Sequence, residues 1–138
     1  MPFHSEVAED RLTGRIIGIA INVHKTLGSQ HPEKLYQEAL AHGLERDGLT
    51  VEREKEITVV YQGREFGSRY ADLFVENEVV VEIKAVQRVI DEHFHQLGTN
   101  VQLLEKRRGL LINFGTSRIE VRRFANDRAE STTSGADR

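Results

Sequence analysis

Two apolar runs constrain this 138-residue chain more than anything else in it. They are "VVVEIKAV" (79–86) and "GLLINF" (109–114), and between them Ile90, Phe94, Leu97, Val101 and Leu104 recur at helical spacing. A strand covered on both faces reads as a nearly continuous apolar run, as 109–114 does. Two such strands joined by a helix imply a parallel pair with a right-handed crossover. The centre of the fold is therefore a strand–helix–strand unit.

The flanking segments extend it. Leu12, Ile16, Ile19, Ala20, Val23 and Leu27 form a helical stripe that Gly28 closes. A second helix opens at Pro32, carries Tyr36, Ala39, Leu40, Gly43 and Leu44, and ends at Gly48. Residues 51–61 alternate as a strand, with Val51, Ile57, Val59 and Tyr61 on one face. "QGRE" (62–65) is a hairpin turn, a further strand runs over 66–75, and "ENE" (76–78) turns it into 79–86. "RIEVRRF" (118–124) alternates again. The expected fold is a three-layer-like α/β sandwich with a mixed sheet of about five strands and helices on its faces. One domain over 10–125 is expected, between a loose segment 1–9 and a disordered, apolar-poor tail over 126–138.

The absence of cysteine excludes a disulfide framework, a thiol nucleophile and thiolate-bound zinc. The opening "MPFHSEVAED" lacks a signal-peptide pattern and no apolar run reaches membrane-spanning length, so the expectation is a cytoplasmic protein without a membrane partner. The net charge of −3 gives no global footprint for nucleic acid, although 105–123 holds six basic against two acidic residues. "HFH" (93–95) is not a chelating pair, because helical positions i and i+2 point about 200° apart.

The charges inside 79–86 carry the chemistry. Val80, Glu82, Lys84 and Val86 share one pleat face. An E-x-K triplet alone fits a half-exposed strand with a weak same-face ion pair. Asp72 changes its meaning. If "ENE" is a three-residue turn, Val75 opposes Val79 and Asp72 opposes Glu82 on the same face. Like charges so placed, roughly 4.5–5.5 Å apart at Cβ, are destabilising. A hard divalent cation relieves that conflict, because such ions take carboxylates and water oxygens. Glu33, in the first turn of the second helix, is a third acid; that position also suits a carboxylate for the helix dipole alone.

Asp72, then Glu82-x-Lys84 on the next strand, with Glu33 upstream on a helix, resembles the PD-(D/E)XK nuclease superfamily. More narrowly, the chain resembles the GxxExxY proteins, through "VHKTLG" (23–28), Glu33, Tyr36, "YADLFVEN" (70–77), "VEIKAV" (81–86), Gln96 and "GLLINFG" (109–115). The likeness spans about 12–124. It departs where the first glycine of that motif falls on Gln30, followed by His31 and Pro32. The resemblance implies a restriction-endonuclease-like core and Mg²⁺- or Mn²⁺-dependent phosphodiester hydrolysis. Asp72, Glu82 and the Ile83 carbonyl would hold the metal, with Glu33 assisting. Lys84 would act on water or phosphate, and Gln96 would support the site. Arg118 and Arg122, with Arg69, are candidates for contacting nucleic acid, DNA before RNA. Two other readings stand beside the nuclease. One is a catalytically silent nucleic-acid-binding or regulatory protein; the other is an interaction protein in which Lys84 and Arg69 neutralise the carboxylates. A homo-oligomer or protein partner is the expected source of specificity.

Overall fold

The structure, a computed structural model, describes residues 2–126, with side chains from Asp10 onward. α1 (Pro2–Leu27) is followed by α2 (Glu33–Arg46), β1 (Val51–Tyr61), β2 (Arg64–Val75), β3 (Val79–Lys84), α3 (Asp91–Leu103), β4 (Arg108–Asn113) and β5 (Glu120–Ala125). α1 thus begins within the segment expected to be loose. The expected tail, apart from Asn126, lies outside the described residues. Asn126 belongs to the fold: its side-chain amide donates to the Lys106 carbonyl at 2.9 Å.

Local chemistry sets the boundaries. The N–H of Gly28 reaches the His24 carbonyl at 2.8 Å with φ +78°, the left-handed turn that ends a helix cheaply only at glycine. Pro32 stands one place outside α2, extended at φ −68°, ψ 155°. Gln62 and Gly63, both at positive φ, make a two-residue β1–β2 loop, shorter than the turn expected over 62–65.

The five strands lie in the order β1-β2-β3-β4-β5, antiparallel except for the parallel β3–β4 pair that α3 connects. On one face α1 and α2 bury Ile16, Ala20, Tyr36, Leu40 and Leu44 against Val79, Val81, Ile83, Leu110, Ile112 and Phe114. On the other, Leu97 and Val101 of α3 pack on Phe74, Val80 and Leu111. Each fully buried aliphatic side chain contributes roughly 1.5–3 kcal/mol. Among the described residues no helix is long and apolar enough to cross a membrane.

Simple alternation fails midway along β1. Val51 packs in the α1/α2 layer, but Ile57, six residues on, packs in the α3 layer, so the two do not share a face as expected. In β2, Leu73 and Val75 face α1/α2 while Ala71 faces α3. Between these positions Glu54 sits at φ +49°, and the ladder passes from Arg53↔Leu73 to Lys55↔Ala71. A left-handed residue rotates the strand and exchanges its faces. Glu54 is held there by α2, since Gln37 Nε2 donates to Glu54 Oε2 at 2.7 Å and Lys34 Nζ lies 3.4 Å away. The kink falls beside Asp72.

The loops after β3 and β4 are locked together. Asn113 is fully buried; its Nδ2 donates to the Val86 carbonyl at 2.9 Å and its Oδ1 accepts from the Val86 and Gly115 N–H groups, each at 3.0 Å. A Cβ on Gly115 would sit 2.4 Å from Val86 N and 2.5 Å from Val86 O, which are backbone atoms that cannot swing away. Gly115→Ala is therefore expected to destabilise the protein by roughly 1–3 kcal/mol, read as a fall in urea midpoint. An unchanged midpoint would refute the close packing of these two loops.

Candidate functional site

β2 and β3 pair as Val75↔Val79, Phe74↔Val80 and Leu73↔Val81, the register that a three-residue turn over 76–78 dictates. One step further the strands part. There Asp72 Oδ2 accepts the Ile83 N–H at 2.7 Å, so its side chain lies in the gap between the strands. Glu82 reaches toward α3, yet its carboxylate still takes the Asp72 N–H and feels the Asp72 charge. Burial raises the Asp72 pKa from 3.8 to about 6; the Ile83 N–H and Lys84 oppose this, while Glu33 and Glu54 add to it. Glu82 is 8 % exposed. Burial, then the charge of Asp72, raises its pKa from 4.5 to about 8, against Asn100, Lys84 and the Asp72 N–H.

Asn100 is the partner that sequence reasoning missed. It is 3 % exposed, and its Nδ2 donates to Glu82 Oε2 at 2.7 Å. Its Oδ1 accepts from Arg69 Nε at 2.8 Å. Gln96, which the sequence suggested, is exposed, with its Nε2 3.5 Å from Glu92 Oε2; only its carbonyl touches this network, 3.4 Å from Arg69. The signal was present: Asn100 lies between Leu97 and Val101, on the buried side of α3 rather than on its wet edge.

The arrangement of sheet and acids has relatives. A family profile described as the PD-(D/E)XK nuclease superfamily matches residues 10–124. The chain belongs to the PD-(D/E)XK nuclease superfamily. Its fold is also similar to the crystal structure of SSO0001, with a TM-score of 0.56 at 20% identity, covering 75% of this chain and 58% of that one. This chain thus spans under two thirds of SSO0001, and the likeness concerns the fold. A comparison with curated protein sequences gives no significant match.

Nucleases of this superfamily generally use divalent metals. Among the described residues no three His, Cys, Asp or Glu side chains form a ready cage. What converges is a half-buried carboxylate, Asp72, and a buried one, Glu82, with Glu33 acting on Asp72 through space and Lys84 acting on both. Two hard oxygen donors whose charges raise the cost of ionisation fit a hard divalent ion that keeps several waters. Glu33 stands exposed in the first turn of α2. Its placement depends on Tyr36, which is fully buried, stacks on Phe114 at 4.6 Å and donates to the Gly28 carbonyl. His31 N–H donates back to the Tyr36 hydroxyl at 3.2 Å, so the unusual Gln30–Pro32 turn is tied to the core.

The basic candidates are spread out. Arg69 faces Asn100 rather than open solvent. Arg122 lies on the Glu82↔Leu111↔Arg122 row with its guanidinium over Phe94 at 4.5 Å. Arg118 precedes β5, at the sheet end shared by Lys84, Asn113 and Glu120. Arg108 pairs with Val79, at the opposite end of β3 from Lys84. The +4 stretch is thus not one patch.

Both carboxyls protonate more readily in the folded than in the unfolded state. Between pH about 4 and about 8 the folded protein therefore holds more protons, and metal-free stability falls as pH rises through that window. In EDTA, wild type should be less stable at pH 8 than at pH 5. Asp72→Asn, which can still accept the Ile83 N–H, should flatten the dependence and gain roughly 1–2 kcal/mol at pH 8. Urea unfolding across pH checks this; equal slopes for the two proteins would contradict it.

Proposed function

We propose that this protein is a metal-dependent nuclease of the GxxExxY kind, cleaving phosphodiester bonds in nucleic acid, with DNA ahead of RNA as substrate. The observation that carries the reading is the carboxylate pair of half-buried Asp72 and buried Glu82, held where β2 and β3 part, with Lys84 one pleat further on. Burying two like charges costs stability, and a cation between them removes that cost. Glu33 and Tyr36, three apart at the start of α2, support the narrower family, although Gln30 replaces its glycine.

Asp72 and Glu82 would hold Mg²⁺ or Mn²⁺, and the Ile83 carbonyl would join them. The Lys84 carbonyl accepts the Phe114 N–H on the β4 side, so alternation directs the Ile83 carbonyl toward β2 and Asp72. When bound, the ion supplies Lewis-acid activation of the phosphodiester and of water. The Lys84 ammonium stabilises negative charge growing on the phosphate, and the loop-borne Arg118 helps orient the strand. Glu33 receives or relays a proton at the open side of Asp72.

Thermal unfolding with EDTA and with Mn²⁺ tests the metal site. Mn²⁺ should raise the midpoint of wild type but not of Asp72→Ala. Lys84→Ala should keep the Mn²⁺ response and lose roughly 10²- to 10³-fold in hydrolysis of plasmid or single-stranded DNA. Salt-sensitive nucleic-acid binding without turnover would favour the silent binding protein instead. No response to Mn²⁺ in wild type would sink the metal reading.

A further inference from the structure

We propose that Arg69 and Asn100 are a positioning relay that fixes the Glu82 carboxylate in the orientation from which it meets a cation. The inference rests on the metal-site reading above and deepens it. Its starting point is a chemical constraint on one amide. A guanidinium has only donors, so the Asn100 atom facing Arg69 Nε at 2.8 Å must be the oxygen. The amide nitrogen must then face Glu82, 2.7 Å from Oε2. The second amide proton has the Tyr70 carbonyl at 3.4 Å. Arg69 is itself braced on α3 through the Gln96 carbonyl at 3.4 Å.

The consequence is one fixed orientation of Glu82. Oε2 keeps a lone pair beside the one that accepts from Asn100, so this bond fixes the plane of the carboxylate without blocking either oxygen from a cation. The Asp72 N–H, which also favours the ionised form of Glu82, holds the same carboxylate from the β2 side. The relay also spans three elements, β2 through Arg69, α3 through Asn100 and β3 through Glu82, so the helix sets the angle of an acid on the strand. Arg69 accordingly acts on Glu82 through Asn100, and not as a contact for phosphate.

The test uses the full chain as wild type, Asn100→Ala, Arg69→Ala and the double variant, with Mn²⁺ as the probe and its affinity read by titration of the free ion. Asn100→Ala should weaken Mn²⁺ binding by roughly 10- to 100-fold, the range for partners that orient a metal ligand. Arg69→Ala, at a half-buried position, should weaken it less. Adding Arg69→Ala to Asn100→Ala should cost nothing further, because the arginine acts through the amide. Retention of single-stranded DNA in EDTA should be the same for wild type and Arg69→Ala. Additive losses, unchanged Mn²⁺ affinity, or weakened DNA retention in Arg69→Ala would each overturn the relay. A wild type that binds no Mn²⁺ would remove the metal reading instead. The orienting pair is then judged in EDTA by NMR: the Asn100 side-chain amide protons should exchange slowly in wild type and faster in Arg69→Ala, and equal exchange would overturn it.

Discussion

One hydrogen bond organises the site: the Ile83 N–H is taken by the Asp72 carboxylate instead of by a strand carbonyl. A ladder bond there would have kept β2 and β3 zipped. A side chain in its place ends the pairing and opens a gap whose floor is two backbones and whose wall is a carboxylate. The kink at Glu54 serves the same break from the other side of β2. It turns the β1–β2 hairpin over at the residue opposite Asp72, and α2 stabilises it through Gln37 and Lys34. The helix that carries Glu33 therefore also maintains the distortion that exposes Asp72.

The surrounding fold explains why two acids can be kept there. Glu82 lies in the α3 layer, with Phe74, Val80, Leu97 and Leu111 among the buried residues around that face. Left alone, its charge would not survive such an environment at neutral pH. The Asn100 amide, the Lys84 charge and the Asp72 N–H each favour the ionised form, yet burial and Asp72 outweigh them. In the metal-free protein Glu82 is therefore protonated at neutral pH, and a bound cation would favour its ionised form.

Much of this was readable in the residues. Counting across "ENE" gave the β2–β3 register, because a three-residue turn leaves one antiparallel pairing; the continuous apolar character of "GLLINF" marked the central parallel strand. Neither depends on anything distant in the chain. The kink at Glu54 left no trace, since glutamate is a poor choice for positive φ and its conformation is stabilised only by α2, brought near by folding. Gln96 and Asn100 are both amides of α3, but only Asn100 falls between the apolar positions Leu97 and Val101, and the packing of that side on β3 brings it to Glu82 while Gln96 stays exposed. Arg69 finds its partner 31 residues away, which no local spacing reveals.

Charge distribution completes the physical picture. Around the gap stand Glu33, Glu54, Asp72 and Glu82, against Lys84 as the cation that acts on both central acids. Elsewhere, cations are matched locally: Arg53 by Glu38 and Glu45, Arg15 by Asp47, Lys34 by Glu38 and Glu54. A phosphate approaching such a centre meets net repulsion. On the proposed reading, the ion that relieves the carboxylates is also what makes the centre attractive to a phosphodiester, so metal and substrate binding are thermodynamically linked and each strengthens the other. On that reading, a protein without a continuous basic patch among its described residues would concentrate its affinity for nucleic acid at the metal site.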